Sequence, residues 1–222
     1  MEKINQFYEV APSKIEEKSF EIISEELLQR GISVPLENAF IVKRAIHTTA
    51  DFDYAQNMYF SPSVVKQALS LFTRGRPQIL TDTNMALSGI SKAAAQKLGI
   101  DLYCFMADSD VAQKAQALGI TRAAASVEKA VDFFKDSGRP LVFAVGNAPT
   151  ALIQIHRLKK EGLLNPALVI AVPVGFVNVE AAKNLIKESD IPCIAAMGRK
   201  GGSTVAAAIV NALLYECTRS KN

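Results

Sequence analysis

The stretch Leu141–Val177, LVFAVGNAPTALIQIHRLKKEGLLNPALVIAVPVGFV, decides the fold class of this chain. It contains two short, uncharged apolar runs, Leu141–Val145 and Leu168–Val172, with a helical segment between them. Continuous apolar runs of about four to eight residues are typical of strands buried on both faces of a parallel sheet. Each run leads into a glycine-containing loop, Gly146–Thr150 or Pro173–Val177. The stretch therefore predicts a strand–helix–strand unit with parallel strands.

The same alternation extends along the chain in both directions. Helical segments separate the apolar runs, and they end in the glycine signals that follow Leu98, Leu118 and Ser137. We expect a three-layer, Rossmann-like α/β fold, in which helices flank a parallel sheet of about five strands. The sequence does not indicate the order of the strands. The predicted strands are Gln78–Leu80, Leu102–Ala107, Leu141–Val145, Leu168–Val172 and Cys193–Met197.

The N-terminal third has helical periodicity instead. After a polar, loosely held segment over residues 1–12, the pattern predicts an amphipathic helix over Ser13–Arg30. In Pro35–Asp53, PLENAFIVKRAIHTTADFD, apolar residues recur at spacings of three and four, and the proline suits the start of a helix. A strand is the alternative for Phe40–Val42 taken alone. A third helix is predicted over Val64–Arg74.

Composition and charge limit the classes of function that this chain can have. The chain of 222 residues is 49% hydrophobic and 7% aromatic, which suits one α/β domain over residues 1–222 with a sizeable core. Its formal net charge is only +3, and no run of Lys and Arg is longer than two residues. We therefore expect neither a nucleic-acid partner nor a membrane-surface patch.

The cysteines and the apolar runs indicate the compartment. Cys104, Cys193 and Cys217 are far apart and lack the spacing of a zinc site or a disulfide framework. The N-terminus has no apolar core of a signal peptide, and the longest uncharged apolar run, Ala167–Val177, is too short to span a bilayer. The expected compartment is the reducing cytoplasm.

Loops with special residues follow most of the predicted strands. The carboxyl ends of parallel strands gather at one edge of a sheet, where ligands bind in open α/β folds. A helix predicted over Thr204–Glu216 follows the last of these loops, and the N–H groups at its start favour an anion. Glycines in such loops are also often only tight turns, but several of them at one edge favour a site. The loops are Thr81–Met85, Gly146–Thr150, Pro173–Val177 and Gly198–Ser203.

The basic residues nearest to these motifs suggest a carboxylate or phosphate ligand, because guanidinium groups bind both with two parallel hydrogen bonds. No P-loop and no G-x-G-x-x-G pattern occurs, so a nucleotide cofactor has little support, and we expect no cofactor. Asp108 and Asp110 are either metal ligands or loop and helix-cap residues, and the second reading is favoured. The basic residues are Arg44, Arg122, Arg199 and Lys200.

His47 is the candidate acid–base residue. It lies three positions after Arg44, so the two side chains project from one face of the predicted helix. Imidazole can give and take a proton near neutral pH. A structural histidine beside an apolar stripe is the alternative. The second histidine, His156, lies in an amphipathic segment beside basic residues, where a surface position is expected.

Several motifs resemble those of the precorrin-8X methylmutase family, also called cobalt-precorrin-8 methylmutases. The resemblance extends from about Phe20 to Leu213, and V-G-N-A-P-T-A-L and P-V-G-F-V are its most specific parts. It implies an isomerase that moves a methyl group between adjacent carbons of ring C of a corrinoid precursor in vitamin B12 biosynthesis. The product is hydrogenobyrinate or, with cobalt, cobyrinate. The motifs are R-x-I-H-x-T-x-D-F, T-D-T-N-M, T-R-A-A-A, V-G-N-A-P-T-A-L, P-V-G-F-V and G-R-K-G-G-S.

The resemblance also implies roles for single residues. The proton-handling histidine of the family matches His47, and its substrate-contacting serine and arginine match Ser19 and Arg44. Thr83, Asn84 and Lys200 stand at positions whose roles the resemblance leaves open. The substrate-binding set is Ser19, Arg44, Asp82, Thr83, Arg122, Arg199 and Ser203, with no metal site.

Two other classes of protein compete with the isomerase. One is a non-catalytic corrinoid carrier, in which His47 is only a polar contact. The other is a dehydrogenase or methyltransferase, which the missing glycine fingerprint disfavours. A homodimer is expected, because a large, highly carboxylated ring needs more wall than one small domain offers. Whether the substrate contains cobalt is left open by the sequence.

Overall fold

The structure is a computed structural model that describes residues 10–219. Apart from its last three residues, the predicted loose segment over residues 1–12 lies outside this range. Helix α1 covers Ile15–Gln29 and follows a 3₁₀ turn over Pro12–Lys14, so the regular helix begins two residues after the predicted start. The polypeptide turns at Gly31, which has a left-handed φ of 67°.

The predicted helix around His47 is confirmed as α2, Leu36–Thr49. Pro35 immediately precedes it, with an extended backbone, and Ala50 ends it in the left-handed conformation. The strand alternative for Phe40–Val42 is wrong, because the apolar side chains of this segment follow the helical period and pack into the core. A short α3, Tyr54–Asn57, comes next, and α4, Val64–Ser70, continues into a π-helical turn.

Within residues 10–219, the sheet has six strands in the order β1-β6-β5-β4-β2-β3. All five predicted strands are present, although the second is shorter than predicted and begins one residue earlier. The strand that sequence reasoning missed is β1, a three-residue segment that pairs antiparallel with β6 at the edge of the sheet. It is too short for an alternating pattern. The strands are β1 Met58–Phe60, β2 Gln78–Thr81, β3 Asp101–Tyr103, β4 Leu141–Val145, β5 Leu168–Ala171 and β6 Cys193–Ala196.

The five parallel strands create a switch point. From β2 the connection runs to β3 on one side, and the next connection returns to place β4 on the other side of β2. The connections that leave β2 and β4 therefore run to opposite sides of this point, which is where open α/β sheets commonly bind ligands. The remaining helices are α5 Asn84–Gly89, α6 Lys92–Leu98, α7 Ser109–Leu118, α8 Arg122–Phe134, α9 Pro149–Lys160, α10 Val179–Lys187 and α11 Ser203–Arg219.

Two apolar cores cover the two faces of this sheet. Successive residues of a strand point to opposite faces, so Val142 belongs to the core under α2 and α11, whereas Phe143 belongs to the core under α8, α9 and α10. Helix α11 is buried over most of its length and packs directly on α2, the helix that carries His47. In the described part of the chain, no helix is long and apolar enough to cross a bilayer.

The Gly201 position provides a test of this packing. A Cβ atom there would lie 2.1 Å from the carbonyl oxygen of Val172, and the backbone φ is 154°. Gly138 has a left-handed φ of 62° but open space around its missing Cβ. We predict that Gly201→Ala lowers the free energy of unfolding by about 3 kcal/mol or more. Gly138→Ala should lower it by only about 1 kcal/mol. Urea denaturation measures both, and equal losses would contradict the clash.

Candidate active site

Ser19 and His47 form the first cluster of the site, where α1 packs against α2. The Oγ atom of Ser19 lies 2.8 Å from Nδ1 of His47. The ring of Phe20 meets the imidazole edge to face, with centroids 5.4 Å apart. Within residues 10–219, the Nε2 atom of His47 makes no hydrogen bond, and the side chain is exposed. The imidazole is thus held at one nitrogen and available at the other.

Arg44 lies behind this pair and is 8% exposed. Its two terminal nitrogens donate to the carboxylate oxygens of Glu16, each at 2.8 Å. The guanidinium group also lies 4.8 Å from the ring centroid of Phe20 and 5.0 Å from that of Tyr215. The hydrogen bond from Arg44 lowers the pKa of the Glu16 carboxyl below its ordinary value. Arg44 therefore joins α1, α2 and α11, and its fork is occupied by a carboxylate of the protein itself.

Asp82 bridges the two loops at the switch point. Its carboxylate accepts hydrogen bonds from the backbone N–H groups of Gly146, Asn147 and Ala148, at 2.7–2.8 Å. Burial raises the pKa of this carboxyl, while the three N–H donors act in the opposite direction. All three of these hydrogen bonds are donated by the protein backbone. Asp82 thus shapes the G-N-A-P loop rather than offering a free carboxylate.

Thr83 and Ser203 meet beside Asp82. Their hydroxyl oxygens are 2.8 Å apart, and the Thr83 hydroxyl also accepts from the N–H of Ala86 at the start of α5. The loops after β4 and β6 approach so closely that a Cβ atom at Gly146 would lie 2.6 Å from the Cα atom of Ser203. The loops after β2, β4 and β6 therefore meet at one polar surface, which we call the polar floor.

The G-R-K-G-G-S loop after β6 is held from both sides. From inside, the buried Lys183 donates to the carbonyl oxygens of Gly198 and Lys200, at 2.8 Å each. From outside, the ammonium group of Lys200 contacts Asp51 at 2.6 Å and Asp53 at 2.5 Å. These two aspartates directly follow the helix of His47. The lysine contacts therefore connect the end of α2 to the carboxyl edge of the sheet.

Arg122 and Arg199 are exposed at the same edge. Arg122 is the first residue of α8, next to Thr121, whose hydroxyl meets that of Thr150 at 2.7 Å. Arg199 pairs with Glu180 at 2.9 Å, and its guanidinium group lies 5.3 Å from the ring centroid of Phe176.

The structure thus divides the predicted residues into two linked clusters. Ser19, His47 and Arg44 lie between α1 and α2, and the other predicted residues lie at the carboxyl edge of the sheet. Sequence reasoning missed Glu16 and Lys183. A signal for Lys183 exists, because it stands in the apolar stripe of α10 with Val179, Ala182 and Ile186, where a lysine is out of place. The carboxyl-edge residues are Asp82, Thr83, Arg122, Arg199 and Ser203.

The aspartates near β3 have partners that account for them. Asp108 and Asp110 both pair with Lys129, at 2.7 and 2.8 Å, at the start of α7. This position agrees with the loop and helix-start reading of the sequence. Among the residues that the structure describes, no group of three or more His, Cys, Asp or Glu side chains could hold a metal ion.

The sequence profile of the precorrin-8X methylmutase family matches residues 14–216, which include every residue of both clusters. The chain belongs to this family. A cobalt-precorrin-8 methylmutase of Salmonella typhimurium is 42% identical over 92% of this chain and 95% of its own length. One from Priestia megaterium is 41% identical over 92% of this chain and 88% of its own length.

A solved structure supports the same relationship. The crystal structure of a precorrin-8X methylmutase from Thermus thermophilus superposes with a TM-score of 0.84 at 35% identity, covering 94% of this chain and 97% of that chain. The α/β architecture with its helical N-terminal part is therefore shared with this structure of a family member.

We expect Lys183 to make the free energy of unfolding depend on pH. Burial lowers the pKa of its ammonium group from 10.5 to about 8. Between these two values the unfolded chain binds more protons than the folded chain, so the free energy of unfolding rises with pH. We predict that wild type gains stability relative to Lys183→Met by up to about 1.4 kcal/mol per pH unit in this window. Urea denaturation at pH 7.5 and 9.5 measures the difference. A difference that does not change with pH would show that Lys183 titrates normally.

Proposed function

We propose that this protein is an isomerase that moves a methyl group between adjacent carbons of ring C of a corrinoid precursor in vitamin B12 biosynthesis. The observation that carries the proposal is the contact between Ser19 and His47, 2.8 Å long, in a member of the methylmutase family. The substrate is precorrin-8X or its cobalt form, and the product is hydrogenobyrinate or cobyrinate. The names of the relatives at 41–42% identity support the cobalt form.

His47 is proposed to transfer the proton that makes migration possible. In the reaction one carbon–methyl bond breaks and another forms on the adjacent carbon, so the ring is neither oxidised nor reduced. The conjugated double bonds must first take the correct arrangement, and moving a proton near the migrating centre achieves this. Ser19 occupies Nδ1, so Nε2 is the atom that acts on the substrate. It acts as a base in the neutral imidazole whose Nδ1 carries the ring proton, and as an acid in the imidazolium, where both nitrogens carry protons and Nδ1 donates to the serine oxygen.

Arg122, Arg199 and the N-terminus of α11 are proposed to bind the acetate and propionate carboxylates of the ring. The exposure of both guanidinium groups at the carboxyl edge supports this role. Ser203 begins α11, where backbone N–H groups favour an anion. Thr83, which contacts Ser203, and Asp82, which orders the adjoining loop, are proposed to complete the same surface.

For Arg44, direct binding of a substrate carboxylate stays a prediction. The Glu16 contact supports a second role, in which Arg44 holds α1 against α2 and so keeps Ser19 within reach of His47. Buried charges are costly unless they are paired, and Glu16 supplies the carboxylate that pairs with the buried guanidinium group. Both roles place Arg44 directly behind the catalytic histidine.

The proton-transfer role predicts a specific loss. His47→Ala should fold and bind the corrinoid, but its single-turnover rate should fall by about 10²–10⁴-fold, as is typical when general acid–base help is removed. The absorption spectrum of the corrinoid follows turnover directly. Both the cobalt-containing and the cobalt-free substrate belong in the assay.

His156→Ala is the matched control, because His156 is the other histidine of the chain and lies on α9. Its rate should stay near that of wild type. A His47→Ala protein that binds normally and turns over within a few-fold of wild type would eliminate the proposed role. A wild type that gives only a stoichiometric spectral shift would indicate a carrier instead of an enzyme.

We also propose that the chain works as one α/β domain in a cytoplasmic homodimer without a nucleic-acid partner. The two apolar cores share one sheet, which supports a single domain. Among residues 10–219, the cysteines at 104, 193 and 217 form no disulfide bond, which suits a reducing compartment. Light scattering at working concentration should give twice the 24.0 kDa mass of the chain. A fully active monomer would disprove the dimer.

A further inference from the structure

Three large apolar side chains are exposed within four residues of the P-V-G-F-V loop. Val174 is 47% exposed, Phe176 82% and Val177 77%. We call these three residues the apolar ledge. A folded protein gains free energy by burying such groups, and a contiguous exposed apolar surface commonly marks a place where something binds.

The ledge is fixed to the loops that carry the site. The N–H of Val174 donates to the carbonyl oxygen of Gly146 at 3.3 Å, and the N–H of Gly175 donates to that of Arg199 at 3.1 Å. Behind it, the N–H of Gly202 donates to the carbonyl oxygen of Val172 at 2.9 Å. The ledge is thus tied to the loops after β4 and β6, and its side chains are held outward by backbone contacts.

A cationic group borders the ledge. The guanidinium group of Arg199 lies 5.3 Å from the ring centroid of Phe176, while its Nε atom donates to Glu180 at 2.9 Å. The ends of β5 and β2 are two strand spacings apart, or about 10 Å, so the ledge stands beside the Thr83–Ser203 contact. Apolar surface, a positive charge and a polar floor therefore adjoin one another at the carboxyl edge.

We propose that the apolar ledge packs against a face of the corrin macrocycle and that Arg199 binds one of the carboxylates at its rim. This inference rests on the proposed function, which already includes Arg199, and adds to it the side chains of Val174, Phe176 and Val177. A flat conjugated ring has apolar faces and, in this substrate, an anionic perimeter. The ledge and its arginine match both properties, and their attachment to the loops of the site places them where the ring must lie.

The test measures binding of cobyrinic acid, the cobalt-containing product, by its absorption spectrum. Phe176→Ala should weaken this binding about tenfold to a hundredfold, because the face of the ring would lose the contact with the phenyl group. In turnover, KM should rise with it while kcat stays within a few-fold, since the ledge contacts substrate and transition state alike. Phe176→Leu should recover most of the affinity, and Arg199→Gln should lose affinity with a weaker dependence on salt than wild type.

Leu36→Ala is the matched control. Leu36 is 91% exposed, but it lies at the start of α2, at the end of the helix opposite to His47. Its affinity for cobyrinic acid should equal that of wild type. Light scattering on each variant reports its assembly, so that a loss of affinity is assigned to the ledge only where the mass of the particle is unchanged.

Two results would overturn the proposal. If Phe176→Ala binds cobyrinic acid as tightly as wild type, the ledge does not contact the ring. If Phe176→Ala dissociates into smaller particles, the ledge is a contact between copies of the chain. A wild type that binds neither cobyrinic acid nor hydrogenobyrinic acid would instead refute the proposed function, and the inference with it.

Discussion

The ammonium group of Lys183 is the contact on which the rest of the site depends. It is 0% exposed and binds two backbone carbonyls of the G-R-K-G-G-S loop, which is also joined to the loop after β5 by two backbone hydrogen bonds. Once this loop is fixed, Lys200 can hold the aspartates that follow α2, and Ser203 can meet Thr83. Both clusters of the site are thus connected through one buried charge. Its burial is costly, as the lowered pKa shows, and the two carbonyl contacts offset part of that cost.

Asp82 holds the loop after β4 at the switch point, as Lys183 holds the loop after β6. Three backbone N–H groups after β4 lie in a loop where no neighbouring carbonyl accepts them in a regular ladder, and the Asp82 carboxylate accepts all three. Charge-assisted hydrogen bonds of this kind are among the stronger ones in proteins. The loops after β2 and β4 are therefore joined by three hydrogen bonds. A negative group serves structure here.

Much of the fold could be predicted, because its signals are local. Continuous apolar runs located the five parallel strands, and the spacing in Pro35–Asp53 located α2. The edge strand β1 was missed since three partly buried residues carry no period, and its pairing with β6 is set by tertiary contacts. The strand order is likewise a property of long-range pairing, which a single sequence does not contain.

For the site, motifs suggested candidate residues but did not reveal what each one touches. His47 and Ser19 come from helices whose contact depends on packing, and only the structure shows them 2.8 Å apart. The same holds for Arg44, whose fork faces Glu16, and for Asp82, whose oxygens face backbone N–H groups. Residue type predicts the chemistry that is available. The neighbours decide whether that chemistry is offered to a ligand or used within the protein.

The short strand β1 also determines when the site can form. It follows the His47 helix in the sequence, yet it pairs with β6, with Tyr59 opposite Ala195, and α2 packs on the C-terminal α11. Contacts between residues so distant along the chain close late, because the entropy of a large loop must be lost before they form. Until β6 and α11 have been synthesised, β1 lacks its pairing strand and the apolar face of α2 lacks this partner.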